Sequence, residues 1–165
     1  MQPRTTHAIL VGLLVGCATP TDSSLRARVT EFGIYSRGTE IVRADAAAPS
    51  GQSRGTLGFR LLKSTDSIPP VIGTSFGFCY EVTDIQPQSK PDIVVEVQHP
   101  KIVRPDGTEH THYEGRPHVP ITAPTFTDCT GYGFDHHFEL VPGTWKFTVL
   151  VNGSPKAAQE FYVDK

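Results

Sequence analysis

The sequence predicts an all-β fold, a two-sheet antiparallel sandwich, and three observations carry that expectation. From Leu25 onward apolar residues alternate with polar ones and almost never recur at the 3.6-residue spacing of a helix. The alternating runs are short, and Gly, Pro, Asn and Asp punctuate them. About eight such runs follow one another at the spacing of strands in a β-sandwich.

Residues 28–35 form the first expected strand, with Phe32 and Ile34 on one face. Residues 44–55 are rich in Ala, Ser, Gly and Pro without alternation and are expected to form a mobile loop. Extended structure resumes over 57–63. Phe76, Phe78, Tyr80 and Val82 then alternate with Gly77, Cys79, Glu81 and Thr83, which sets an aromatic core face against a face bearing the cysteine. A connection through Pro87 and Pro91 leads to Ile93, Val95 and Val97, the buried side of another strand.

Asp106-Gly107 supplies the positive-φ residues of a hairpin turn, and a two-residue loop there places Arg104 opposite Glu109. Residues 134–140, 144–152 and 157–163 read as a three-stranded meander joined by Pro142-Gly143 and Asn152-Gly153. Trp145, Phe147, Val149 and Val151 share one face of its middle strand, and Phe161 and Val163 one face of its last. Each such side chain contributes roughly 1.5–3 kcal/mol on burial. These runs fit an immunoglobulin-like sandwich, with a closed barrel as the alternative.

The amino terminus reads differently. Arg4 precedes an apolar run over residues 8–15, too short to span a bilayer, which matches a secretory signal. Leu14-Val15-Gly16-Cys17 closes that run and resembles the lipobox of bacterial lipoproteins. The resemblance implies cleavage before Cys17 and a diacylglycerol thioether on its sulfur, with the outer membrane as destination because Ala18 stands where an inner-membrane retention Asp would. The alternative is a general signal peptidase cutting nearby, with Cys17 incidental. The expected organisation is a signal peptide over 1–16, a lipidated tether over 17–25 and one β-sandwich domain over 26–165. Two acyl chains or more hold a soluble domain stably at a membrane.

The formal charge of −2 and the scatter of Lys and Arg among acids argue against a nucleic-acid partner. Beyond Cys17, only Cys79 and Cys129 remain, and export would carry both where thiols oxidise. A disulfide between them is expected, two separate buried thiols being the alternative. Closing a loop of roughly fifty residues disfavours the unfolded chain by about 4 kcal/mol.

Glu31-Phe32-Gly33-Ile34-Tyr35, Pro142-Gly143-Thr144-Trp145-Lys146-Phe147 and Glu160-Phe161-Tyr162-Val163 together resemble an uncharacterised family of small exported bacterial immunoglobulin-like domains. The resemblance covers most of the chain after the signal and implies no catalytic activity.

Six of the seven histidines lie between His99 and His137, the one chemical oddity of the sequence. His110 and His112 are two apart, so a regular strand projects both imidazoles from one face, and His118 follows closely. The three are a candidate copper or zinc site, with His99 or Glu114 as further donors; the alternative is a set of exposed polar side chains. His136 is expected inward with Phe134 and Phe138, and His137 outward with Glu139.

Gly73-Thr74-Ser75-Phe76-Gly77 matches the G-x-S-x-G pattern of hydrolases, but a nucleophile elbow leads into a helix and Ser75 leads into a strand. The sequence therefore favours a non-enzymatic binding or adaptor domain, tethered to a membrane and facing an envelope protein. Loops 44–55 and 113–127 are the candidate surfaces.

Overall fold

The computed structural model describes residues 24–86, 88–117 and 121–165. Residues 1–16, expected as a signal peptide, and Cys17 and His118 lie outside them. The strands in chain order are β1 (Arg26–Tyr35), β2 (Thr39–Ala44), β3 (Gln52–Leu57), β4 (Leu61–Lys63), β5 (Ser67–Ile68), β6 (Ser75–Thr83), β7 (Ile93–Val103), β8 (Glu109–Gly115), β9 (Phe126–Gly133), β10 (Gly143–Val151) and β11 (Ser154–Val163). One sheet has the order β4-β1-β6-β9, the second β5-β11-β10-β7-β8, and β2-β3 form a separate hairpin. Every pairing is antiparallel except the short β5–β11 contact.

The alternating strands place the core as the sequence predicts. Phe76, Phe78, Tyr80 and Val82 of β6 face Trp145, Phe147, Val149 and Val151 of β10, and all eight are at most 1% exposed. Phe76 sits at the centre, with its ring 5.5 Å from Trp145, 6.2 Å from Phe147 and 5.3 Å from Phe161. Edge-to-face packing of this kind adds to the area term because ring edges are positive and faces negative. Two sheets closed over one such core make an immunoglobulin-like sandwich.

Behind that core the first sheet is thinned. Gly33, Gly77 and Gly131 stand side by side across β1, β6 and β9. A Cβ at Gly77 would lie 2.2 Å from the Thr130 carbonyl oxygen, so the strands approach closer than any side chain allows. Tyr35, which pairs with Ser75, reaches over this row until its hydroxyl is 3.7 Å from the Cys79 sulfur. Burial and the Glu31 carboxylate push its phenol pKa up.

Three expectations are corrected. Residues 44–55 are not a mobile loop: they hold the end of β2, a turn and most of β3, because β2 and β3 pair from Thr39↔Leu57 to Ala44↔Gln52. Residues 134–140 are not a strand. Asp135 and His136 donate backbone N–H bonds to Glu139 Oε2, at 2.8 and 2.6 Å, and this winds a 3-10 turn over His137–Glu139. Glu139 is consequently fully buried, and His136 and His137 are both exposed. The third correction is the Asp106-Gly107 turn, where Arg104 N donates to Thr108 O and Gly107 N to Arg104 O, giving a three-residue loop. Glu109 therefore pairs with Val103 and reaches Lys101, which frees Arg104.

Candidate functional site

The histidines gather where β7 and β8 lose register. Gln98 pairs with His112 and Ile102 with His110, so three residues of β7 oppose one of β8. Pro100 lies inside this bulge, where a missing backbone donor is tolerated. The bulge reverses the facing of the strands between the two pairs. His112 sits with exposed Gln98, its Nε2 3.6 Å from Glu96, whereas His110 sits with fully buried Ile102. The expectation that His110 and His112 share one face fails for that reason.

His99 turns inward at the bulge and is 6% exposed. Its ring stacks on Trp145 at 4.7 Å, with Tyr113 of β8 6.2 Å away. Its Nδ1 is 2.8 Å from the Pro100 carbonyl oxygen. Burial holds the His99 pKa below the ordinary imidazole value, and His110 and His112 act in the same direction. Burial lowers His110 as well, helped by the Arg104 guanidinium. Both rings are therefore neutral at pH 7.

Beside the histidines is a buried acid. Glu139 accepts a hydrogen bond from Tyr132 besides its two backbone donors, and Tyr132 packs 4.6 Å from Trp145. Burial and this carboxylate push the Tyr132 pKa up. Nothing in the sequence marks Glu139 as a core residue, since an acid after two histidines looks solvated. His99 left one legible sign, the Pro100 that follows it inside an apolar run.

The β2–β3 hairpin is strapped to the sandwich at both ends. At its base Arg37 and Arg54 both bind Asp135, at 2.8 and 2.6 Å, and Arg54 also binds Glu40 at 2.6 Å. At its tip the Arg104 guanidinium donates to the carbonyl oxygens of Ala46, Ala48 and Pro49. Between these anchors Ile41, Val42 and Leu57 are 48%, 46% and 65% exposed.

Cys79 and Cys129 form a disulfide between directly opposed residues of β6 and β9. Ser75 opens β6 opposite Gly133, without the helix a nucleophile elbow needs. Among the described residues no group of three or more His, Cys, Asp or Glu gathers to hold a metal ion, and no helix is long and apolar enough to cross a membrane.

The family described as "Domain of unknown function (DUF3859)" matches residues 23–163. The chain belongs to this family. An immunoglobulin-like protein of Pseudomonas aeruginosa shares 24% identity over 86% of this chain and 99% of its own, with a TM-score of 0.58, and that likeness shows the fold. The DNA-bound alkylpurine DNA glycosylase AlkC of Pseudomonas fluorescens overlays at 11% identity and a TM-score of 0.46, covering 86% of this chain and 31% of its own. That likeness carries no argument. No curated protein matches. The DUF3859 family thus fits the uncharacterised immunoglobulin-like domain that the sequence resembles, and it brings no assigned activity.

Proposed function

We infer that this DUF3859 chain is a lipid-anchored envelope protein whose sandwich, residues 26–165, serves as a non-enzymatic binding or adaptor domain. The observation that carries the binding role is the β2–β3 hairpin, which belongs to neither sheet yet is fixed at base and tip and presents Ile41, Val42 and Leu57 to solvent. A hairpin held this way meets a partner with little further loss of conformational freedom. The lipobox Leu14-Val15-Gly16-Cys17 supports the address: cleavage after residue 16, acylation of Cys17 and a short tether over 17–25. The domain then faces the periplasm from the outer membrane, and its expected partner is another envelope protein.

Two measurements test the reading. Cells expressing the full chain and fed an alkyne-palmitate should label it, and Cys17→Ala should abolish the label and release the protein from the membrane fraction. Capture of an envelope protein by the intact chain should be lost on Ile41→Asp with Leu57→Asp. Unlabelled wild-type protein removes the anchor from the proposal; capture indifferent to the paired substitution removes the hairpin.

A further inference from the structure

The two sulfurs of the Cys79–Cys129 bridge stand in unlike surroundings. On the outer face of the first sheet Glu31 of β1, Cys79 of β6 and Cys129 of β9 are direct cross-strand neighbours and form one row. Cys79 lies inside that row. Its Sγ is 3.9 Å from Glu31 Oε1 and 3.7 Å from the hydroxyl of the buried Tyr35. Cys129 lies at the end of the row, half-buried, on the strand that closes the sheet among the described residues.

A thiolate attacks a disulfide along the extension of the sulfur–sulfur bond, so each sulfur is approached from the side away from its partner. For Cys79 that side belongs to β1, where the Glu31 carboxylate repels an anion and the Tyr35 side chain occupies the space. For Cys129 it is the free edge of β9. We propose that the bridge is a directional thiol–disulfide exchange site, in which a dithiol reductant enters at Cys129 and Cys79 is the sulfur released.

The incoming thiolate bonds to Cys129 Sγ as the Cys79–Cys129 bond breaks, and the electron pair leaves on Cys79 Sγ, which takes a proton from water. The second thiol of the reductant, as thiolate, then displaces Cys129, which takes the second proton. The bridge has gained two electrons and two protons, and the dithiol has become a disulfide. Glu31 keeps the released Cys79 protonated, because its carboxylate disfavours a second anion and stands where the thiol donates a hydrogen bond. A protonated Cys79 is a poor nucleophile, so the mixed disulfide on Cys129 lasts long enough for the second step. The β6–β9 ladder from Ser75↔Gly133 to Val82↔Phe126 keeps the two sulfurs opposed, and the reverse sequence restores the bridge. The site rests on strand order and side-chain placement, not on the envelope reading, so failure of its test leaves the acylation and capture measurements untouched.

The test opens the bridge with glutathione, a monothiol whose early product is the mixed disulfide. The full chain carrying Cys17→Ala, so that no other thiol competes, is treated under native conditions and quenched at intervals with excess N-ethylmaleimide in mild acid. Peptides are then mapped by mass, while Trp145 fluorescence reports whether the core stays folded. Early in the reaction glutathione on Cys129 with the cap on Cys79 should exceed the reverse arrangement at least about tenfold. Glu31→Ala, at an exposed position, should reduce that preference at least about threefold without changing Trp145 fluorescence. Equal labelling of both sulfurs, labelling mainly at Cys79, a preference untouched by Glu31→Ala, or a bridge that opens only as Trp145 fluorescence reports unfolding would each overturn the proposal.

Discussion

At the residue scale His99 makes the fold sensitive to acid. Its imidazole packs on Trp145 of β10 and beside Tyr113 of β8, with His110 and His112 near enough to oppose a second positive charge. The native pKa is therefore depressed below the ordinary value near 6.5, mainly by burial and against the weaker help of the Pro100 carbonyl. Above that value both native and unfolded chains are neutral at this position and the packing contributes in full. As pH falls through it the unfolded chain takes a proton that the native state refuses, so stability declines. Urea midpoints should drop from pH 7.5 to pH 5.5, and His99→Phe should flatten that dependence. An equal drop in the variant would assign it to other groups. Little of this was legible beforehand, because alternation fixes which face a residue takes only while the register holds. A bulge of three residues against one is a property of the paired strands, and the sequence shows only Pro100 as its trace.

At the element scale the same lesson separates strands from hairpin. Runs such as 76–82 and 145–151 were legible because each buries one face against the other sheet, and alternation records that burial. Strands β2 and β3 bury no continuous face, so no alternation marks them, and their pairing rests instead on ion pairs from Arg37, Arg54 and Asp135 together with the grip of Arg104. Long-range charges of this kind have no local signature. Arg104→Ala should therefore cost only about 1–2 kcal/mol of global stability, the scale of hydrogen bonds from one charged group that is partly exposed. Its larger effect is local: amide exchange should accelerate across residues 39–57 while β6, β7 and β10 keep their protection. Acceleration spread evenly over the sandwich would mean that the hairpin is part of the cooperative unit.

At the scale of the whole molecule, two independent devices hold the sandwich together, and their contributions can be separated. The aromatic core joins the two sheets, whereas Cys79–Cys129 joins neighbouring strands of one sheet and closes a span of 50 residues that includes β7 and β8 of the other. The disulfide thus adds little to a native interface the β6–β9 ladder already aligns, and acts mainly by restricting the unfolded chain. Phe147→Ala removes core contacts from a fully buried ring and should cost about 3–5 kcal/mol. Replacing both cysteines by Ala should cost a similar amount, about 4 kcal/mol, from chain entropy alone. The two losses differ in their denaturant slopes. Opening the loop lets the unfolded chain expand and expose more surface, so the double cysteine variant should show a lower midpoint with a steeper m-value, while Phe147→Ala lowers the midpoint at constant m. A variant lacking both Cys79 and Cys129 with an unchanged slope would place the staple's effect in the native sheet instead, and would make β9 the strand whose amides lose protection first.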